Sequence, residues 1–184
     1  MIKLYKLTHP DGACVNGGTG VWPLPNGHPG AWFEASGPLV PCKNGLHLCE
    51  ATDLIHWSGP ALWEAESDGE SIRHENKTVV RRARLVRRVD AWNDRNLRLF
   101  ACECAERAIA AEERAGRKVD PRSRAAVEVA ALEAAWSARA AAWAAARAAA
   151  WEVPWAVAWE AAWAAERDWQ AKRLVELCVE GVKP

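Results

Sequence analysis

The chain has 184 residues, 50% of them hydrophobic and 26% charged, which supports a folded core and excludes a disordered polymer. Twenty-four basic residues balance twenty-four acidic ones; this excludes coating of nucleic acid by bulk charge and leaves room only for a local basic patch. The opening MIKLYKLTHPDG has no apolar run of signal-peptide length, and no window approaches the roughly 20 apolar residues of a membrane span. The six cysteines are therefore read as reduced thiols of a cytoplasmic protein with no membrane contact.

Composition changes near residue 90, with nearly all glycines and all five histidines before it and helix formers after it. The expected architecture is α+β: a small β-rich domain over residues 1–90, then an Ala/Trp-rich antiparallel helical bundle over 91–184. Ile2–Leu7 alternates with apolar residues on both faces, as in a strand covered on each side, with Ile2, Leu4 and Lys6 sharing one face. A loop dense in Gly, Pro and Asn follows from Gly12 to Gly30. Its Gly17-Gly18-Thr19-Gly20 lacks the lysine and the strand–loop–helix context of a phosphate-binding loop.

Trp32–Glu34 and Gly45–Cys49 read as short strands, with Thr52 as a cap for a short helix through Trp57. Ala61–Glu66 reads as a strand, Asp68-Gly69 as a turn, and Thr78–Val89 as the longest strand. Asn93 is placed to cap a helix carrying Leu97, Ala101, Cys104 and Ala108 at helical spacing. Gly116 and Asp120-Pro121 break the pattern, a second helix runs to about Glu152, and Pro154 separates it from a last helix that ends near Leu177.

Seven of the twelve tryptophans fall between Ala134 and Trp169. At about 100° per residue, Trp136 and Trp143 share a face, while Trp155, Trp159, Trp163 and Trp169 span about 120° with Leu177 inside the arc. Those stripes read as intramolecular packing, with a partner groove or homo-oligomer face as the alternative. Trp151, about 80° off the first stripe, and Trp155 beside Pro154 are the candidate partner-binding tryptophans.

The strings NGLHLCEATDLIHWSGPALWEAE (44–66), KTVVRRARLVRRVDAWNDRNLRLFACECAERAI (77–109) and AERDWQAKRLVEL (165–177) are similar to proteins of phages and bacteria. From Cys102-Glu103-Cys104-Ala105-Glu106-Arg107 onward the chain resembles a family of immunity proteins from toxin–immunity systems; it departs from them at residues 110–124, where it is shorter. The resemblance implies a non-enzymatic protein-interaction module with a protein partner, a helical bundle for its tail, and no cofactor.

Four constellations could carry chemistry. Cys42, His47 and Cys49 bring two thiols and an imidazole within eight residues; Cys14, His56 or the Cys102/Cys104 pair would have to complete a zinc site, and the tight Cys-x2–4-Cys pair is missing. Ordinary buried cysteine is the competing reading, as it is for Cys49 as a nucleophile activated by His47 or His56. Arg82, Arg84 and Arg88 line one expected strand face that could meet phosphates or an acidic protein, unless Glu64, Glu66, Glu70 and Glu75 on neighbouring strands neutralise it; the balanced charge argues against nucleic acid. Finally, Tyr5 on the opening strand, His47 before a short helix, and a later Glu64 or Glu66 resemble in order and spacing the ADP-ribosyltransferases, NAD-using folds in which an acidic residue orients the ribose. The histidine of their first strand is missing, unless His9 stands in.

Overall fold

In the computed structural model, residues 3–119, 121 and 156–181 are described, with side chains in the last stretch from residue 164 onward. The chain divides after Trp92 into two compact units, and each is taken by itself.

The first unit is a five-stranded antiparallel sheet: β1 (Leu4–Thr8), β2 (Phe33–Glu34), β3 (Leu46–Leu48), β4 (Ala61–His74) and β5 (Lys77–Arg88). β4 lies between β1 and β5, while the other edge of β5 pairs with β2 over one part and β3 over another. The sheet curls until it meets itself. Tyr5 and Cys49 exchange both backbone hydrogen bonds, at 2.8 and 3.0 Å, joining the end of β3 to the free edge of β1. The ring leaves no long open strand edge between β1 and β3.

Two long strands make the frame. β4 is 14 residues and β5 is 12, joined by the two-residue turn Glu75-Asn76. Glu75 has φ +49°, as the twist of such a tight hairpin requires. Asp68-Gly69 is not the expected turn: the strand runs through it, and Gly69, at φ +79°, sits in a register shift where two residues of β4 face one of β5. A second shift lies between Glu64↔Arg87 and Ala65↔Leu85, leaving Val86 as the extra residue. The short helix after β3 is a 3₁₀ segment, Ala51–His56, capped not by Thr52 but by Glu50, whose side chain and Asp53 form a reciprocal box.

Leu4, Leu46, Leu48, Ala61, Trp63, Ala65, Val80, Ala83 and Leu85 form a buried cluster. The 9–30 segment covers it, driving Trp22 into the cluster at 2% exposure. Trp22 N–H, donating to Gly12 O at 2.8 Å, closes the segment on itself, and Gly30 N–H, donating to Leu85 O at 2.8 Å, ties it to β5. Gly12, at φ +87°, has no room for a side chain, since a Cβ would collide with the Trp22 carbonyl.

The second unit contains α1 (Asp94–Arg114) and α2 (Ala156–Leu174), the latter continuing into one π-helical turn, Val175–Glu180. Asn93 caps α1, its Oδ1 accepting from Asn96 N–H at 3.1 Å. The expected antiparallel helical bundle is not what forms: the described residues hold two long helices. Polar contacts join them. Arg173 grips Glu103 through two hydrogen bonds, Arg107 holds Glu166 at 2.8 Å, and buried Asn96 donates to Leu177 O at 2.9 Å. The buried apolar residues here, Ala101, Ala171, Leu174, Leu177 and Cys178, are mostly small or aliphatic. Helical spacing shows which side chains share a face; it does not show how many helices pair, and alanine offers little area to decide it. Trp169 is half-buried under the Arg107 guanidinium, 3.9 Å from its ring centroid. Trp151 and Trp155 lie outside the described residues. No helix among the described residues is long and apolar enough to cross a membrane.

Candidate functional site: a lysine-lined cleft in the first unit

A cleft of about 560 Å³ opens in the first unit, beside the β1–β3 junction. Its walls are β1, β3 and the loops at 14–19, 34–36 and 42–45, with Trp22, Phe33 and Trp57 as aromatic surfaces. Its charged lining comprises Lys6, Lys43 and Lys77 against the single carboxylate Glu34, so the cleft favours an anion.

Lys6 is the central group. β1 alternation puts its side chain on the covered face, in register with Trp63 and flanked by Leu4 and Thr8. Its Nζ lies 5.3 Å from the Trp22 ring centroid and donates to the His47 carbonyl at 3.1 Å. No carboxylate pairs with it among the described residues. Burial holds its pKa below the usual lysine range, and the neighbouring Cys14 and Cys49 offset this only in part.

His47 sits between two cations. Its Nε2 accepts from Cys42 N–H at 3.2 Å, which leaves the ring proton on Nδ1. Burial first, then the charges of Lys6, Lys77 and His74, lower its pKa, so the ring is neutral at pH 7. Below the unfolded value, near 6.5, the unfolded chain takes up the proton first, so stability falls with pH until the folded ring also titrates. A denaturation series from pH 7 to 5 should show this loss, and His47→Gln should flatten it.

Lys77 Nζ lies 3.0 Å from Cys42 Sγ and 5.3 Å from the Trp57 ring centroid. Cys42 holds φ +64° and Asn16 φ +58°; both line the cleft, so two of the three non-glycine residues with positive φ in the described chain are at this site. Such strain gathers at binding sites, where surrounding structure fixes it. Gly45 closes the floor at φ +127°, where a Cβ would strike Val79 Cγ1.

The residues singled out from the sequence separate. Tyr5 and His47 line the cleft; Glu64 and Glu66 do not. Glu64 faces Arg87 and Lys3, at 2.5 and 2.6 Å, and Glu66 faces Arg84 at 2.7 Å. Glu64 and Glu66 therefore do not join Tyr5 and His47 in this cleft. Burial pushes the Glu64 pKa up, but hydrogen bonds from Lys3 and Arg87 outweigh it and hold the carboxylate below its usual range. Glu64→Gln should cost about 1–2 kcal/mol at pH 7. The contribution is complete above the unfolded value near 4.5 and vanishes as pH falls through the folded one. Urea midpoints of the two proteins should therefore converge in acid.

The basic face is a charge ladder. Arg82 pairs with Asp68, Arg84 with Glu66 and Arg87 with Glu64, while Arg81 spans Glu70 and the Gly37 carbonyl. Arg82 and Arg84 also flank the Trp32 ring, at 4.5 and 4.7 Å. Arg88 leaves this face: the extra residue Val86 shifts the alternation, puts Arg87 opposite Glu64, and sends exposed Arg88 opposite Trp63.

Cys42, His47 and Cys49 do not converge on a metal, and among the described residues no group of three or more His, Cys, Asp or Glu is placed to hold one. Cys49 is buried with its Sγ 3.6 Å from Tyr5 O; burial, then the Asp53 carboxylate, pushes its pKa up to about 12. It stays a thiol, not the nucleophile that pairing with His47 or His56 would have made. Burial does the same at Cys104, also to about 12. Comparison with protein-family models, with curated proteins and with solved structures finds no match for this chain.

Proposed function

We propose that the first unit is a binding module for a small organic anion, taken into the cleft between the 9–30 segment and the β1–β3 junction. The observation that carries this reading is Lys6, a desolvated basic group with no carboxylate partner among the described residues, at the wall of a 560 Å³ cleft. An unpaired buried charge is costly, and a bound anion supplies the missing partner. The cleft has the volume of ordinary small-molecule sites, and the indoles under Lys6 and Lys77 offer flat surfaces for a ring next to each cation. A phosphorylated or carboxylated ring compound, a mononucleotide included, has this chemistry.

Calorimetric titration with AMP and with pyridoxine 5′-phosphate tests it. Saturable binding of either at or below about 1 mM, weakened by salt and lost in Lys6→Met, is expected. Equal weak heats from the native protein and the variant would overturn it. This reading leaves intact the protein-binding role that the resemblance to immunity proteins implies for the second unit, which capture of a stoichiometric partner would test.

A further inference from the structure

An anion site alone would be better served by arginine, which stays charged when desolvated and presents a fork of donors. The covered face of β1 carries a lysine instead, beside an indole and two thiol-bearing residues, where burial lowers the pKa of its amine. Its hydrogen-bond partner among the described residues is a peptide carbonyl, not a carboxylate that would pin the proton. A lysine so placed is set up as a nucleophile toward carbonyl carbon.

We propose that Lys6 is an imine-forming lysine, whose Nζ condenses with the carbonyl carbon of a small aldehyde bearing an anionic group, with Lys77 taking the anionic end. The inference rests on the cleft being an anion site, and adds a covalent step to it. The nitrogen lone pair of the free amine forms the C–N bond while the carbonyl π pair moves to oxygen. The carbinolamine then expels that oxygen with the two former amine protons, as water, leaving C=N. No electrons are gained or lost, and the aldehyde is the only co-reactant. His47 belongs to the same wall: its carbonyl fixes Nζ, and its ring, neutral at pH 7, adds no further positive charge. The Trp22 face under Nζ keeps water from one side of the reacting amine.

Pyridoxal 5′-phosphate is the probe, and its non-aldehyde relative pyridoxine 5′-phosphate is the control. The native full chain is treated with substoichiometric pyridoxal 5′-phosphate, reduced with cyanoborohydride, and mapped by peptide mass spectrometry. The expected result is one adduct, at Lys6, suppressed by excess pyridoxine 5′-phosphate. Lys6→Arg, which keeps the charge without an amine that can condense, should lose the adduct. If the control compound binds saturably but the adduct is absent or scattered over exposed lysines such as Lys3 and Lys43, the imine is overturned while the anion site stands. If neither compound binds and no adduct forms at Lys6, both are overturned.

Discussion

Trp22→Ala should cost about 3–5 kcal/mol, as large-to-small changes at buried aromatics do. That is a large share of a typical domain's total of about 5–15 kcal/mol. Trp22 is 2% exposed and belongs to the cluster under the sheet. Its ring meets Phe33 edge to face, at 5.4 Å and 81°. Truncation leaves a cavity that a segment held by Gly12 and Gly30 cannot collapse into. The change also removes the π face beneath Lys6, so binding of pyridoxine 5′-phosphate should weaken with stability. Trp22→Phe should recover part of both. Urea midpoints give the measurement; a loss below about 1 kcal/mol would show that the 9–30 segment does not pack on the sheet as described.

Lys6→Met should do the opposite to stability while abolishing function. Methionine fills similar volume without a charge to desolvate, so the first unit should gain about 1–2 kcal/mol. In a domain of this size, that raises the melting temperature by several degrees, on the order of 5 °C. The gain has a signed pH dependence. Lys6 titrates lower in the folded state than in the unfolded one, so its penalty is complete below the folded pKa and disappears as pH rises toward 10.5. The difference between variant and native protein should shrink over that interval. Both proteins lose stability above pH 9 for a separate reason: Cys49 keeps its proton in the fold up to about 12 while the unfolded thiol ionises. Binding of the probe should fall about 50-fold or more, the worth of one charge-assisted contact. Gain in stability with loss of binding is the signature of a group retained for function; a variant less stable than the native protein would assign Lys6 a structural role.

The strands were legible where alternation is undisturbed, in β1, β3 and the first half of β4, and Asn93 announced its helix by chemistry alone. Legibility stopped at the bulges. Asp68-Gly69 has the composition of a turn, yet carboxylates on that stretch of β4 answer arginines on β5 and hold it in the ladder. Nothing in the sequence marks Val86 as an extra residue, so strict alternation grouped Arg88 with Arg82 and Arg84 and left out Arg87. In the cleft, Tyr5, His47 and Cys42 were visible as chemical residue types, but Lys6 was not, because a lysine on a strand reads as solvent-facing. Its signal was present in the opening strand, whose two faces are both partly apolar: a lysine on a face that must be covered is one the fold desolvates. Glu64 and Glu66 drew attention for their spacing from His47, but spacing along the chain says nothing of the cations opposite. In the tail, the tryptophan period sorts faces without setting the number of helices, and the described contacts between α1 and α2 are made by arginine and glutamate, which the period does not weigh.

The central claim is that Lys6 and its neighbours form one anion site. The most direct measurement is an NMR titration of the native chain with pyridoxine 5′-phosphate, following lysine side-chain and histidine ring resonances. Saturable shifts concentrated at Lys6, His47 and Lys77, with Lys118 and His28 unmoved, are predicted. Shifts spread over the exposed lysines, growing without saturation and leaving Lys6 still, would contradict the account.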